Sequence, residues 1–509
     1  MTRKRILPIG FITSTLLLGC DPGEIPNPDT AEAAPSANLP APMQADEEEA
    51  PEEAEEPCVV GQLRECDDGG GTQFCDEFES GPAWGECLID FACLPGDMKE
   101  CVLAEPVVCE LVDGVPTMPE CGWTPLVLNF AADQPIEMLA SDAAFGAVSP
   151  PLYFSTTYEF AGYDQPRAYD YGRAGNPTRD LLADAIARLE GGAGAVITSS
   201  GMAAIDLLVS RLSAGNGVLA PHDCYGGTIR LLKARAERGQ IALRLVDQGD
   251  TDAVAEALRD RPGLVLVETP SNPLMRVVDI AALASAAHEV GAKVAVDNTF
   301  LSPVIQQPLT QGADYVVHST TKYLNGHSDV IGGAVVAADP VEVEALRHWG
   351  NVVGSTGAPF DAWLTLRGLR TLFPRMERQQ INAMAVAQYL EHHSAVSIVH
   401  YPGLSSHPGH AIASRQQRGF GAMLSFELAG GTEAVKRFIA AVDCFTLAES
   451  LGGVESLVVH PATMTHADMG VEARALAGIS DSLLRLSVGI EAEQDLIAGL
   501  ERGLDACAV

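Results

Sequence analysis

The chain has 509 residues, 47% of them apolar, and a formal net charge of −36. That is apolar material for more than one domain, and the negative balance excludes a nucleic-acid-binding role. The acid is unevenly spread: between Asp21 and Val127 the only basic residues are Arg64 and Lys99, while Asp46 to Glu56 is largely glutamate.

Residues 1–20 read as a lipoprotein export signal. Thr2-Arg3-Lys4-Arg5 is a positive start, and Ile6 to Leu18 is an apolar stretch too short for a transmembrane helix. Leu17-Leu18-Gly19-Cys20 then has the form of a lipobox, at which Cys20 would be lipidated. The expectation is a bacterial envelope protein held to a membrane through Cys20. Residues 21–56, rich in Pro, Ala and Glu, cannot bury enough surface to offset ordering entropy and read as a disordered acidic linker.

Residues 57–127 hold Cys58, Cys66, Cys75, Cys87, Cys93, Cys101, Cys109 and Cys121 in a Gly- and Asp-rich setting. An even number of cysteines behind an export signal implies a disulfide module. Zinc is the weaker reading, since there is no CxxC pair and no His among them. No metal site is expected. Only Cys224, Cys444 and Cys507 lie further on, the usage of an enzyme from a reducing compartment.

After an arm at residues 128–173, strand-like and helix-like segments alternate through a large domain, 174–365. Strands are predicted at Ala195 to Ser199, Ala242 to Asp247, Leu264 to Glu268, Lys293 to Asp297 and Asp314 to Val317. Helices are predicted at Met202 to Leu212, Gly226 to Arg238 and Val278 to Val290. That alternation makes an α/β domain with a mostly parallel sheet. From residue 366 to 509, a helix near Met376 to His392 precedes strands at Met423 to Leu428, Ser456 to His460 and Leu484 to Ile490, a smaller α+β domain.

The run from His318 to His327 carries the chemistry. Lys322 stands among Ser319, Thr320 and Thr321, just past an apolar strand. An amine there could form a Schiff base while the hydroxyls hold a phosphate, the pairing that pyridoxal phosphate (PLP) requires. Ser199-Ser200-Gly201-Met202 lies at a strand-to-helix junction, where free N–H groups suit a phosphate, though a plain turn reads the same way. Tyr225, on the next junction, could stack on a pyridine face. Asp297 ends a strand where a carboxylate could keep a pyridine nitrogen protonated. Asn272 follows another strand and could reach a ring oxygen. Arg485 interrupts an apolar strand, and a buried Arg needs an anion, for which a substrate α-carboxylate or a structural salt bridge would serve.

Pro221-His222-Asp223-Cys224-Tyr225-Gly226-Gly227, Glu449-Ser450-Leu451-Gly452-Gly453-Val454-Glu455 and Ala462-Thr463-Met464-Thr465-His466-Ala467 complete the pattern. From about residue 145 to 505 the chain resembles the Cys/Met-metabolism family of fold-type-I PLP enzymes, and within it the γ-synthase branch. The resemblance implies that Lys322 carries the cofactor and shuttles protons, that Tyr225 stacks on the ring and assists, and that Asp297 pairs with the pyridinium. It implies that Gly201, Met202, Ser319 and Thr321 hold the phosphate, joined by Tyr171 and Arg173 from a neighbouring subunit. It assigns the substrate carboxylate to Arg485 and Ser450. Glu449 suits the amino group of cysteine or cystathionine.

The implied reaction is γ-replacement: cysteine displaces the acyl group of an O-acylated homoserine to give cystathionine, a transsulfuration step toward methionine. Cystathionine γ-lyase and O-acetylhomoserine sulfhydrylase activities stay open, whereas methionine γ-lyases tend to carry Cys where Gly227 stands. Arg230, about one helical turn past Tyr225, could face the same cavity and favour a succinyl ester. Against this, succinyl-using relatives can carry a second Arg where Ala174 stands. Family members are tetramers of active dimers, and the family expectation for location is the cytoplasm. A reading from another class, an envelope lipoprotein whose PLP fold is idle beside a binding Cys-rich module, is separated from the enzyme by the yellow colour of bound cofactor.

Overall fold

The computed structural model describes residues 147–508, and upstream of them the backbone of seven short strands between Leu63 and Thr117. Those strands form an antiparallel three-stranded sheet (Leu63–Glu65, Thr72–Phe78, Gly81–Trp84) and two hairpins, Met98–Cys101 with Ala104–Val108 and Glu110–Val112 with Val115–Thr117. The export signal with Cys20, the acidic linker and the expected disulfides lie outside the described residues.

The large domain begins at helix Pro177–Glu190. Asn176 caps its start, accepting from the N–H groups of Thr178 and Arg179, and Pro177 supplies a preset φ where no N–H is needed. Gly191, at φ 72°, closes its end. Seven strands then form one sheet in the order Ala242–Val246, Gly217–Pro221, Leu264–Glu268, Lys293–Asp297, Tyr315–His318, Gly333–Ala337, Gly194–Thr198. All run parallel except Gly333–Ala337, which is antiparallel to both neighbours. The outermost strand Gly194–Thr198 therefore has that antiparallel strand as its sole sheet partner.

Helices cover both faces, so central strands such as Leu264–Glu268 and Gly333–Ala337 are buried along their whole length. One face packs against helices Gly201–Val209, Gly226–Glu237 and Pro340–Val353. The stretch of sheet next to it packs its other face against Thr251–Leu258 and Ile280–Glu289. A five-stranded sheet makes the C-terminal domain, ordered Val396–His400, Met423–Leu428, Leu483–Ser487, Leu457–Val459, Thr446–Leu447. It shares its core with helices Leu372–Glu391, Gly431–Ala441 and Glu493–Asp505.

The α/β class with a mostly parallel sheet and a smaller second domain is as expected. Boundaries differ locally. The last strand ends at Ser487, not Ile490, because the chain there leaves the sheet and the Gly489 N–H bonds the Ser456 hydroxyl at 2.8 Å. Beneath the parallel strand ends, the buried Glu190 carboxylate pairs with His318 at 2.6 Å and accepts from Asn298 at 2.8 Å, anchoring the residue that precedes Ser319.

Candidate active site

Ligands of an open α/β sheet bind beyond the C-terminal ends of its parallel strands. Here those ends deliver Ser200, Tyr225, Glu268, Asp297 and Ser319 to one cavity of about 310 Å³. Lys322, Asn272, Gly201, Met202, Thr321, Glu449, Ser450 and Arg485 line the same cavity. Its further lining residues include Thr299, Phe300, Ile331, Leu451 and Thr465.

At one end lies the start of helix Gly201–Val209. Ser200 caps it through Ala203 N–H at 3.1 Å, and the N–H groups of Gly201 and Met202 have no partner four residues back. A Cβ on Gly201 would come within 2.7 Å of the Ser319 Cβ, so only glycine lets these two segments close into a cradle. Thr321 is steadied by Gly332, whose N–H it accepts at 3.0 Å. Thr299 joins this end to the next: its hydroxyl accepts from Ser319 N–H at 2.9 Å, and its N–H donates to Asp297 at 3.0 Å.

Asp297 and Glu268 are cross-strand partners in the parallel ladder, so two carboxylates stand side by side. Burial raises the pKa of Asp297, and burial together with the Asp297 charge pushes Glu268 well above the usual carboxylate range. A cation set against Asp297 would reverse its shift. Glu268 is already engaged, accepting from the N–H of Tyr225 at 2.9 Å and of Asn272 at 2.8 Å.

Lys322 Nζ donates to Ser450 Oγ at 2.7 Å. Burial and then the charge of Arg485 pull its pKa down to about 8, against the opposing charge of Glu449. Ser450 sits at φ 112°, a conformation that costs a non-glycine residue about 1–3 kcal/mol and is kept where geometry matters more than ease. Arg485 is 2% exposed. It donates to Asn272 Oδ1 at 2.8 Å and to the Ser450 carbonyl at 3.0 Å, its Nε has no partner, and no carboxylate among the described residues forms a salt bridge with it. Burial lowers its pKa to about 10, so it stays charged near neutrality.

Gly227 has a steric role too: a Cβ there would overlap Cε1 of Tyr225 and lie 3.1 Å from Met202 Sδ.

Three expected residues lie elsewhere. Tyr171 is exposed, and Arg173, with its guanidinium 5.7 Å from the Tyr171 ring, donates to Asn351 and lines a separate hollow of about 490 Å³. Arg230 does not line the cavity; it forms an exposed ion pair with Asp468 at 2.7 Å. Glu268 and Thr299 were not singled out from sequence. The readable signal was the parallel form of Leu264–Glu268 and Lys293–Asp297, two apolar runs each ending in an acid.

This donor set fits PLP: a glycine-lined cradle with free N–H groups and hydroxyls for phosphate, a buried carboxylate awaiting a cation, and an amine of lowered pKa. The amine makes a pH test available. Only neutral Lys322 can attack an aldehyde, and near a pKa of about 8 the neutral fraction rises from about a tenth at pH 7 to about a half at pH 8. Capture of PLP by the apoprotein, followed by visible absorbance, should accelerate about fivefold over that interval and level off above about pH 9. A rate still climbing almost tenfold between pH 8 and pH 9 would mean an ordinary lysine, whose neutral fraction keeps rising until near pH 10.

Comparison with known proteins agrees with this fit. The family described as Cys/Met metabolism PLP-dependent enzyme matches residues 136–505. Cystathionine gamma-synthase of Escherichia coli K12 is 57% identical over 369 residues, covering 72% of this chain and 96% of that protein. Cystathionine beta-lyase of Lactococcus lactis subsp. cremoris MG1363 is 46% identical over 367 residues, 72% and 96% of the two chains. Among solved structures, cystathionine gamma synthase of Xanthomonas oryzae pv. oryzae, in complex with aminoacrylate and cysteine, superposes with a TM-score of 0.72 at 56% identity, covering 73% of this chain and 96% of that one.

Proposed function

Because this chain belongs to the Cys/Met metabolism family of PLP-dependent enzymes, we propose that it joins the sulfur of cysteine to Cγ of an O-acylated homoserine, forming cystathionine. The observation that carries the reading is Arg485, a buried guanidinium without a carboxylate partner, in the same cavity as Lys322. A substrate α-carboxylate supplies the missing anion and turns the amino acid's Cα toward Nζ.

Bound PLP supplies the electron sink that makes the Cα–H bond acidic. Lys322, its pKa near the working pH, suits taking that proton and returning one at the end of the cycle. Ser450 holds the amine in place between transfers. Loss of a Cβ proton then lets the γ-acyloxy group depart as a carboxylate with its bonding electrons; cysteine sulfur, giving up its thiol proton, forms the new bond at Cγ, and a proton returns to Cβ. Glu449, at the cavity wall, suits the ammonium of the incoming amino acid. Gly227 supports this reading over methionine γ-lyase, since the Cys that those enzymes tend to carry there would force Tyr225 aside. The working unit in this proposal is a dimer, and beyond it a tetramer, in which Tyr171 and Arg173 of one copy complete the phosphate site of another.

The leaving group is the finer choice. Arg230 would have to exchange Asp468 for a succinyl carboxylate, and exposed pairs contribute only about 0–1 kcal/mol, so exchange is cheap. With cysteine and each ester in turn, cystathionine is the expected product. The expected preference is a modest one for O-succinylhomoserine over O-acetylhomoserine, with a larger loss of kcat/KM for the succinyl ester in Arg230→Ala. Equal losses would make Arg230 structural. Cleavage of cystathionine without synthesis from either ester would replace the synthase reading with a lyase.

A further inference from the structure

Glu268 has no part in the chemistry above, yet it sits where three walls of the cavity meet. Its strand, Leu264–Glu268, is buried at every position, so the carboxylate leaves a rigid support. One oxygen takes the N–H of Tyr225, which begins helix Gly226–Glu237, at 2.9 Å. The other takes the N–H of Asn272 at 2.8 Å. Asn272 in turn offers Oδ1 to Arg485 at 2.8 Å, across from the C-terminal sheet. A chain of charge-assisted and buried hydrogen bonds thus runs from the parallel sheet, through one carboxylate and one amide, to the guanidinium that awaits the substrate.

Each link is constrained. Arg485 pairs in its own sheet with Ser425 on one side and Val459 on the other, so its backbone cannot follow a moving substrate. Its side chain has two protein acceptors, Asn272 Oδ1 and the Ser450 carbonyl, and the second belongs to the residue with strained φ. Asn272 is 3% exposed and is flanked by Pro270 and Pro273, which give the loop no backbone N–H of their own. Removing its acceptor would leave a buried N–H unpaired in the loop that aims Oδ1.

We propose that Glu268 is a positioning residue for the substrate carboxylate, fixing Arg485 through Asn272 while it sets the backbone of Tyr225. The role applies to any α-amino acid bound to the cofactor, so it does not depend on the synthase reading and would survive its failure.

The test uses holoenzyme and two amines without a leaving group. Glycine carries the α-carboxylate and methylamine lacks it; each is titrated by the change in the visible cofactor band. In Glu268→Gln an amide nitrogen faces one of the two N–H groups, so one acceptor is lost. A buried hydrogen bond left unmade corresponds to roughly a ten- to hundredfold change in affinity. Glycine binding should weaken by about that factor more than methylamine binding does, since any effect through Tyr225 falls on both amines alike. Asn272→Ala should do the same, and the double variant should add little beyond either single change, as residues in one chain of contacts do. A merely structural Glu268 would lower the melting temperature and weaken both amines alike. The proposal is overturned by an unchanged glycine-to-methylamine ratio in Glu268→Gln, or by fully additive effects. If Glu268→Gln does not fold, an unchanged ratio in Asn272→Ala overturns it equally.

Discussion

Lys322→Ala is expected to abolish both turnover and the visible absorbance of bound cofactor. Lys322 is the sole lysine among the residues lining the cavity, and it follows strand Tyr315–His318 on a segment tied down through His318 and Ser319. On the proposed roles, its loss would remove the covalent attachment and the proton carrier together. General base catalysis alone is worth about 10²–10⁴, so the combined loss should exceed that range. A persisting visible band with a reducible adduct on another lysine would refute the assignment. The same variant examines the dimer. Mixed with Arg173→Ala, itself expected to be poorly active, it forms hybrids in which one site has both groups. Random pairing should then restore about a quarter of wild-type activity. No recovery would mean that each copy completes its own site.

Asp297→Asn should cost about three orders of magnitude or more in rate while cofactor stays bound. The argument is electrostatic. Asp297 accepts from Thr299, and among the described residues no lysine or arginine forms an ion pair with it, so its charge is available for a pyridinium. Asparagine has nearly the same shape but cannot stabilise a buried positive charge, and each pKa unit lost at the pyridine nitrogen is about 1.4 kcal/mol. Glu268 stands beside it in the ladder but spends both oxygens on backbone N–H groups and cannot substitute. Absorbance and turnover measured together decide the matter: full cofactor content with a near-normal rate would remove Asp297 from that role.

Where local pattern and burial coincide, the fold was legible to the residue. Leu264–Glu268, Lys293–Asp297 and Met423–Leu428 are apolar runs with an acid or a turn at the end, and the sheet buries them as they read. Gly333–Ala337 was not read as a strand, because a run of glycine, alanine and valine fits several conformations and one of its partners, Gly194–Thr198, comes from a remote part of the chain. The same distinction holds in the cavity. Residues whose chemistry announces a task, such as Lys322, Asp297 and Arg485, could be named. Glu268 could not, since its neighbour Asp297 is a matter of strand register. Helical spacing suggested that Arg230 looks inward, but a carboxylate 238 positions away, on Asp468, holds it at the surface.

The single antiparallel strand has a consequence for how the protein is made. Gly194–Thr198 leads into the helix start proposed to hold phosphate, yet its one sheet partner, Gly333–Ala337, is synthesised only after five further strands of the same sheet. Until then the leading edge is an unpaired strand on a nascent chain, the kind of surface that chaperones shield. Non-local pairing of this type is intrinsically slow. On this topology the edge strand that leads into the helix start at Gly201 gains its sheet partner only when the rest of the parallel sheet has been made.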